Sequence, residues 1–277
     1  MAAAAAVEAA APMGALWGLV HDFVVGQQEG PADQVAADVK SGNYTVLQVV
    51  EALGSSLENP EPRTRARGIQ LLSQVLLHCH TLLLEKEGAE SLIGKKEGRR
   101  KKLPCTETEQ GSKAKRGNSA CHRYQLVVHL ILFYENRLKD HHLVIPSVLQ
   151  GLKALSLCVA LPPGLAVSVL KAIFQEVHVQ SLPQVDRHTV YNIITNFMRT
   201  REEELKSLGA DFTFGFIQVM DGEKDPRNLL VAFRIVHDLI SRDYSLGPFV
   251  EELFEVTSCY FPIDFTPPPN DPHGIQR

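Results

Sequence analysis

The sequence predicts an all-α protein, a HEAT/armadillo-like α-solenoid of about six helix pairs. Three observations carry this. Aromatic residues make up only 7% of the chain while Leu and Val recur throughout, which suits helix packing better than a sheet sandwich. Apolar residues recur at helical spacing in segment after segment, separated by short Pro, Gly or Asp turns. The sequence holds no convincing alternating strand and no strand-glycine-helix unit, so an α/β enzyme fold is disfavoured.

In chain order, residues 1–12 read as an Ala-rich N-terminal tail and 13–87 as the first helical repeats. Within the latter, the segment after "LENPEPRTRARG" places Ile69, Leu72, Leu76 and Cys79 on one stripe and Leu71, Val75 and Leu82 on a second. A helix apolar on two sides needs neighbours on two sides. Residues 127–261 hold the later repeats. Val148, Leu152, Leu155 and Val159 follow Pro146, and Val190, Ile193, Ile194 and Phe197 follow "LPQVDRH". "PGLAVSVLKAIFQEV" and "GADFTFGFIQVM" read as their helical partners. After "DGEKDPRN", the residues Leu229, Ala232, Phe233, Val236, Leu239 and Ile240 share one face, with Asp225 as cap and Pro226 in the first turn. Residues 262–277 form a Pro-rich connector and a truncated end.

Pro62-Arg63 aligns loosely with Pro226-Arg227, 164 residues on. That separation is no clean multiple of a helix-pair repeat, but removing the 39 residues 88–126 leaves about three repeats of about 42. Residues 88–126 are therefore expected to be a basic, disordered insert that Gly88 opens by ending the preceding helix, with trypsin cutting first between Lys95 and Arg123. The insert carries about +6 and the remainder near −10, against −4 for the whole chain. Lys95, Lys96, Arg99, Arg100, Lys101, Lys102, Lys113, Lys115 and Arg116 make a candidate nuclear-import or phosphate-binding patch. A solvated loop explains the same run, and the lysines lack the interleaved aromatics of a single-strand nucleic-acid groove.

The five cysteines are odd in number and scattered, which points to free thiols in a reducing compartment. The first twenty residues lack the basic start of a secretory signal, and apolar runs fall short of the roughly 20 residues that span a bilayer. A cytosolic or nuclear protein is expected. For metals, "HCH" at His78 to His80, His141-His142 and Cys105 with Cys121-His122 lack zinc-ligand spacing. "REEEL" from Arg201 reads as an exposed charge run, and no nucleophile or phosphate-cradling motif is present. Neither a catalytic residue nor a cofactor or metal ligand is assigned. A stack of helices instead presents extended surfaces suited to protein partners.

The closing stretch "CYFPIDFTPPPNDPHGI", with "SGNYTVLQVVEALGSSLENP", "IPSVLQGLKALS" and "FTFGFIQVMDGEKDPRNLLVAFRIV", closely resembles the HEAT-repeat scaffold family of the cytosolic iron–sulfur protein assembly targeting complex. The resemblance covers the chain outside the insert, and this chain reads as an N-terminal portion of the longer family pattern. It implies a non-catalytic adaptor that links the assembly machinery to apoprotein clients, among them the TFIIH helicase, polymerases and nucleases of DNA replication and repair. Its assembly-targeting partners are expected to dock mainly on later repeats. The resemblance further implies residence in nucleus and cytoplasm, an association with the mitotic spindle, no cofactor, and no direct nucleic-acid or membrane partner. The alternative is a karyopherin-like or generic solenoid that binds basic protein cargo through its acidic face.

Overall fold

A computed structural model describes residues 13–81, 114–158 and 161–262, with the backbone alone for 114–124. The described residues hold twelve α-helices and no strand. They are α1 (Met13–Val24), α2 (Gly30–Lys40), α3 (Val46–Leu57), α4 (Pro62–Cys79), α5 (Ala114–Arg137), α6 (Ile145–Ser156), α7 (Leu165–Glu176), α8 (Gln184–Thr200), α9 (Glu202–Lys206), α10 (Ala210–Met220), α11 (Pro226–Ser241) and α12 (Val250–Ser258). None of them is long and apolar enough to cross a membrane.

Two compact units divide the chain, Met1–Glu176 and Val177–Arg277. In the first, alternate helices stack on one another: α1 on α3 and α5 on α7 in one row, α2 on α4 and α4 on α6 in the other. In the second unit α8 packs with α11 and α10 with α12, which is the same alternation once the five-residue α9 is counted with the turn after α8. The fold is all-α, with the alternate-helix stacking of a solenoid inside each unit.

Helix α4 shows why. Ile69, Leu71, Leu72, Val75, Leu76 and Cys79 are all fully buried, which uses both stripes, and the helix packs against α2 and α3 on one side and α6 on the other. Leu82 lies outside the described residues. Its start is fixed by Glu61, whose carboxylate accepts from the Thr64 backbone N–H at 2.6 Å, with Pro62 at the first helical position. Helix α11 starts in the same way, Asp225 accepting from the Arg227 N–H at 2.9 Å ahead of Pro226. The loose alignment of these two segments in sequence therefore corresponds to one shared capping device.

Two expectations need correction. On α11, Phe233 is only half-buried and Ile240 is 59% exposed, whereas Ile235 at 2% belongs to the core. The buried stripe runs through Leu229, Ala232, Ile235, Val236 and Leu239, rotated from the expected face toward α8. Phe233 instead packs its ring against Tyr260 and Phe261 beyond α12. Helix α5 begins at Ala114, so the insert boundary expected at residue 126 lies within it. From Ala114 to Arg137 there is no Pro and a single Gly, and Ala, Lys, Arg, Gln and Leu all sustain helix. Helix α4 itself ends at Cys79, and Gly88 and the rest of 88–113 lie outside the described residues.

Candidate protein-binding surface

Turns between paired helices are pinned by arginine–carboxylate clamps. In the first unit Arg65, the fourth residue of α4, donates from Nε and Nη2 to both Asp140 oxygens in the turn before α6, and from Nη1 to the Asn59 and Pro60 carbonyls. Asp140 also accepts from Arg137 at 3.2 Å and from the His141 N–H at 2.7 Å. Burial would push its carboxyl up, but these donors hold it below the usual carboxylate value.

The second unit repeats the device. Arg187, the fourth residue of α8, donates to Glu223 at 2.9 and 2.7 Å in the turn before α11. Glu223 has no exposed surface and collects the Lys224 and Asp225 N–H groups, the Asn228 amide at 3.0 Å and the Tyr191 hydroxyl at 3.3 Å. Burial raises its pKa, and this ring of donors outweighs burial so that the carboxyl stays ionised. Neither clamp is visible as a motif in sequence, because the partners are 75 and 36 residues apart. The one available signal is an Arg three residues into each helix.

With the turns fixed, helix faces become rigid platforms. On α10, Asp211, Phe214 and Gln218 point outward at helical spacing while Phe212, Phe216 and Ile217 fill the core. On α12 only Leu253 is buried, leaving Val250, Glu251, Phe254 and Glu255 exposed. A Cβ on Gly247 would fall on Ala210, so the turn Gly247–Phe249 that leads into α12 meets the start of α10 closely. The Phe214 and Phe249 rings then pair with centroids 5.0 Å apart.

The residues singled out in sequence fare unevenly. His78 is exposed, Cys79 is buried with its thiol facing the Ala36 carbonyl, and His80 bonds the Leu77 carbonyl through Nδ1, so the three side chains do not converge. The His141 and His142 rings lie against each other, tilted by 35° with centroids 4.1 Å apart. Among the described residues no three His, Cys, Asp or Glu side chains are grouped to hold a metal ion. "REEEL" becomes the five-residue α9, with Leu205 buried and Glu202 paired to Lys206 and Arg242. Of the basic patch, Lys115 and Arg116 fall in the helical backbone of α5, while Lys95, Lys96, Arg99, Arg100, Lys101, Lys102 and Lys113, with Cys105, lie outside the described residues.

A family profile described as Dos2-interacting transcription regulator of RNA-Pol-II matches residues 115–277, starting one residue after α5 begins. Over the whole chain, the MMS19 nucleotide excision repair protein homolog of Homo sapiens is 86% identical. The homolog of Danio rerio is 53% identical over 97% of the chain, and the MMS19 nucleotide excision repair protein of Drosophila melanogaster 32% over 89%. The chain spans less than a quarter of these relatives' own length, 23% of the human protein and 22% of the other two. On these matches, the chain belongs to the MMS19 family of Dos2-interacting transcription regulators.

Proposed function

We propose that the chain is a non-catalytic adaptor of cytosolic iron–sulfur protein assembly, recognising apoprotein clients of DNA replication, repair and transcription. Family membership is the observation that carries this reading, since the relatives are named for nucleotide excision repair and the profile for transcriptional regulation. The architecture supports it. Stacked helices with clamped turns hold side chains on their outer faces in fixed register, which suits broad protein recognition. The iron–sulfur cluster is the cargo of the pathway and finds no assigned ligand on this chain. Assembly-targeting proteins are the expected partners, with clients such as the TFIIH helicase, polymerases and nucleases, in nucleus and cytoplasm and at the mitotic spindle.

The test is a pull-down with the purified chain against the purified apo-form of the TFIIH helicase and a helicase that carries no cluster. Retention of the first and not the second is expected. Equal retention of both, or of neither, contradicts client recognition by this portion.

A further inference from the structure

We propose that the side-by-side helices α10 and α12 form a docking surface for a basic protein segment bearing apolar anchors. The inference rests on the partner-binding reading above and names the chemistry of one partner class. Neither helix, nor the turn Gly247–Phe249 that leads into α12, contains a single Lys, Arg or His. Together they carry Asp211, Glu251, Glu252 and Glu255, and among the described residues none of these carboxylates has a hydrogen-bond or ion-pair partner. This contrasts with α9 nearby in sequence, where Glu202 and Glu203 both pair with Lys206, at 3.0 and 3.6 Å.

Acids in a helix's first turn complement the helix dipole, and that accounts for Asp211, Glu251 and Glu252. It does not account for Glu255, one turn further on, nor for the apolar surface beside the acids. Phe214 is 43% exposed with its ring against Phe249, and Val250 and Phe254, one turn apart on α12, are 56% and 69% exposed. An aromatic pair next to uncompensated carboxylates is the environment that attracts an ammonium or guanidinium group, through the ring face and the charge together. Val250 and Phe254 offer the apolar contact that a free cation would not need and a peptide side chain would. The same four carboxylates repel phosphates, which sets the partner apart from nucleic acid.

The probe is a short fluorescein-labelled peptide of lysine and leucine in helical spacing, with its glutamate-for-lysine counterpart as control, titrated with the full chain. The lysine peptide should bind, and binding should weaken roughly tenfold between about 0.05 and 0.3 M salt. Phe214→Ala should weaken it roughly fivefold. The double change Glu252→Lys with Glu255→Lys should weaken it by about tenfold or more, with circular dichroism and the urea midpoint confirming a folded chain. Equal binding of the glutamate peptide, or unchanged affinity in both folded variants, overturns the proposal. Should either variant unfold, hydrogen exchange on the unsubstituted chain decides: peptide-induced protection in α10 and α12 supports the surface, and protection confined elsewhere removes it. If the unsubstituted chain recovers no iron–sulfur protein from extract yet binds the peptide at α10 and α12, the client reading falls while the docking surface stands.

Discussion

Burial pushes the carboxyls of Glu223 and Glu135 the same way, upward, and their partners decide the net result. Glu223 is ringed by Arg187, Asn228, Tyr191 and two backbone N–H groups, and burial notwithstanding, its pKa lies below the ordinary 4.5. The unfolded chain therefore binds the proton first as pH falls. The clamp's contribution is fully present above about pH 4.5 and is lost as pH drops through the lower folded value. Arg187→Ala should cost about 3–5 kcal/mol at pH 7 in urea unfolding, because it strands a buried charge. That loss should shrink in acid, and a loss independent of pH would contradict the account. Glu135 has no such ring. Burial pushes its carboxyl up, opposed only by Ser168, and Oε1 is buried without a partner. Its penalty appears as pH rises through the raised folded value, so Glu135→Gln should stabilise the chain by about 1 kcal/mol at pH 7 and by much less at pH 4. A third residue-scale expectation concerns Gly151, where an added Cβ would overlap the Tyr134 ring in the core; Gly151→Ala should cost about 1–3 kcal/mol.

At the scale of the element, periodicity made α4, α6 and α8 legible, since Ile69, Leu72, Val148, Leu152, Ile193 and Phe197 are buried where helical spacing puts them. Helix α11 was legible in its cap but not in its orientation. Phe233 and Ile240 fit the spacing as well as Ile235 does, and only the position of α8 and the rings of Tyr260 and Phe261 decide which face turns inward. Hence Ile235→Ala should cost about 2–5 kcal/mol and Ile240→Ala under about 0.5 kcal/mol, and the reverse order would refute the orientation described. The start of α5 is illegible by composition, since a basic, polar stretch reads as loop, although the residues between Ala114 and Arg137 include no helix breaker but Gly117. The start of α3 carries a reciprocal cap, Thr45 accepting from the Gln48 N–H at 3.1 Å and Gln48 accepting from the Thr45 N–H at 2.8 Å. Thr45→Ala should cost about 1 kcal/mol of stability.

At the scale of the whole molecule, the clamps and the binding surface were the parts least legible in the sequence. Arg65 meets Asp140 and Arg187 meets Glu223 only once alternate helices stack, so no local pattern marks either pair. The acidity of the chain outside 88–126 was legible as a count, but its concentration on α10 and α12 beside Phe214 and Phe254 requires the fold. The family was legible in the quoted stretches of sequence, and membership in the MMS19 family bears that resemblance out. The adaptor reading makes the central claim that this portion recognises partner proteins by itself. Affinity purification from cell extract with mass spectrometry tests it most directly, using this chain and a version lacking residues 88–113, which leaves α5 whole. The account predicts iron–sulfur proteins or assembly components with both versions; chaperones alone with both would contradict it.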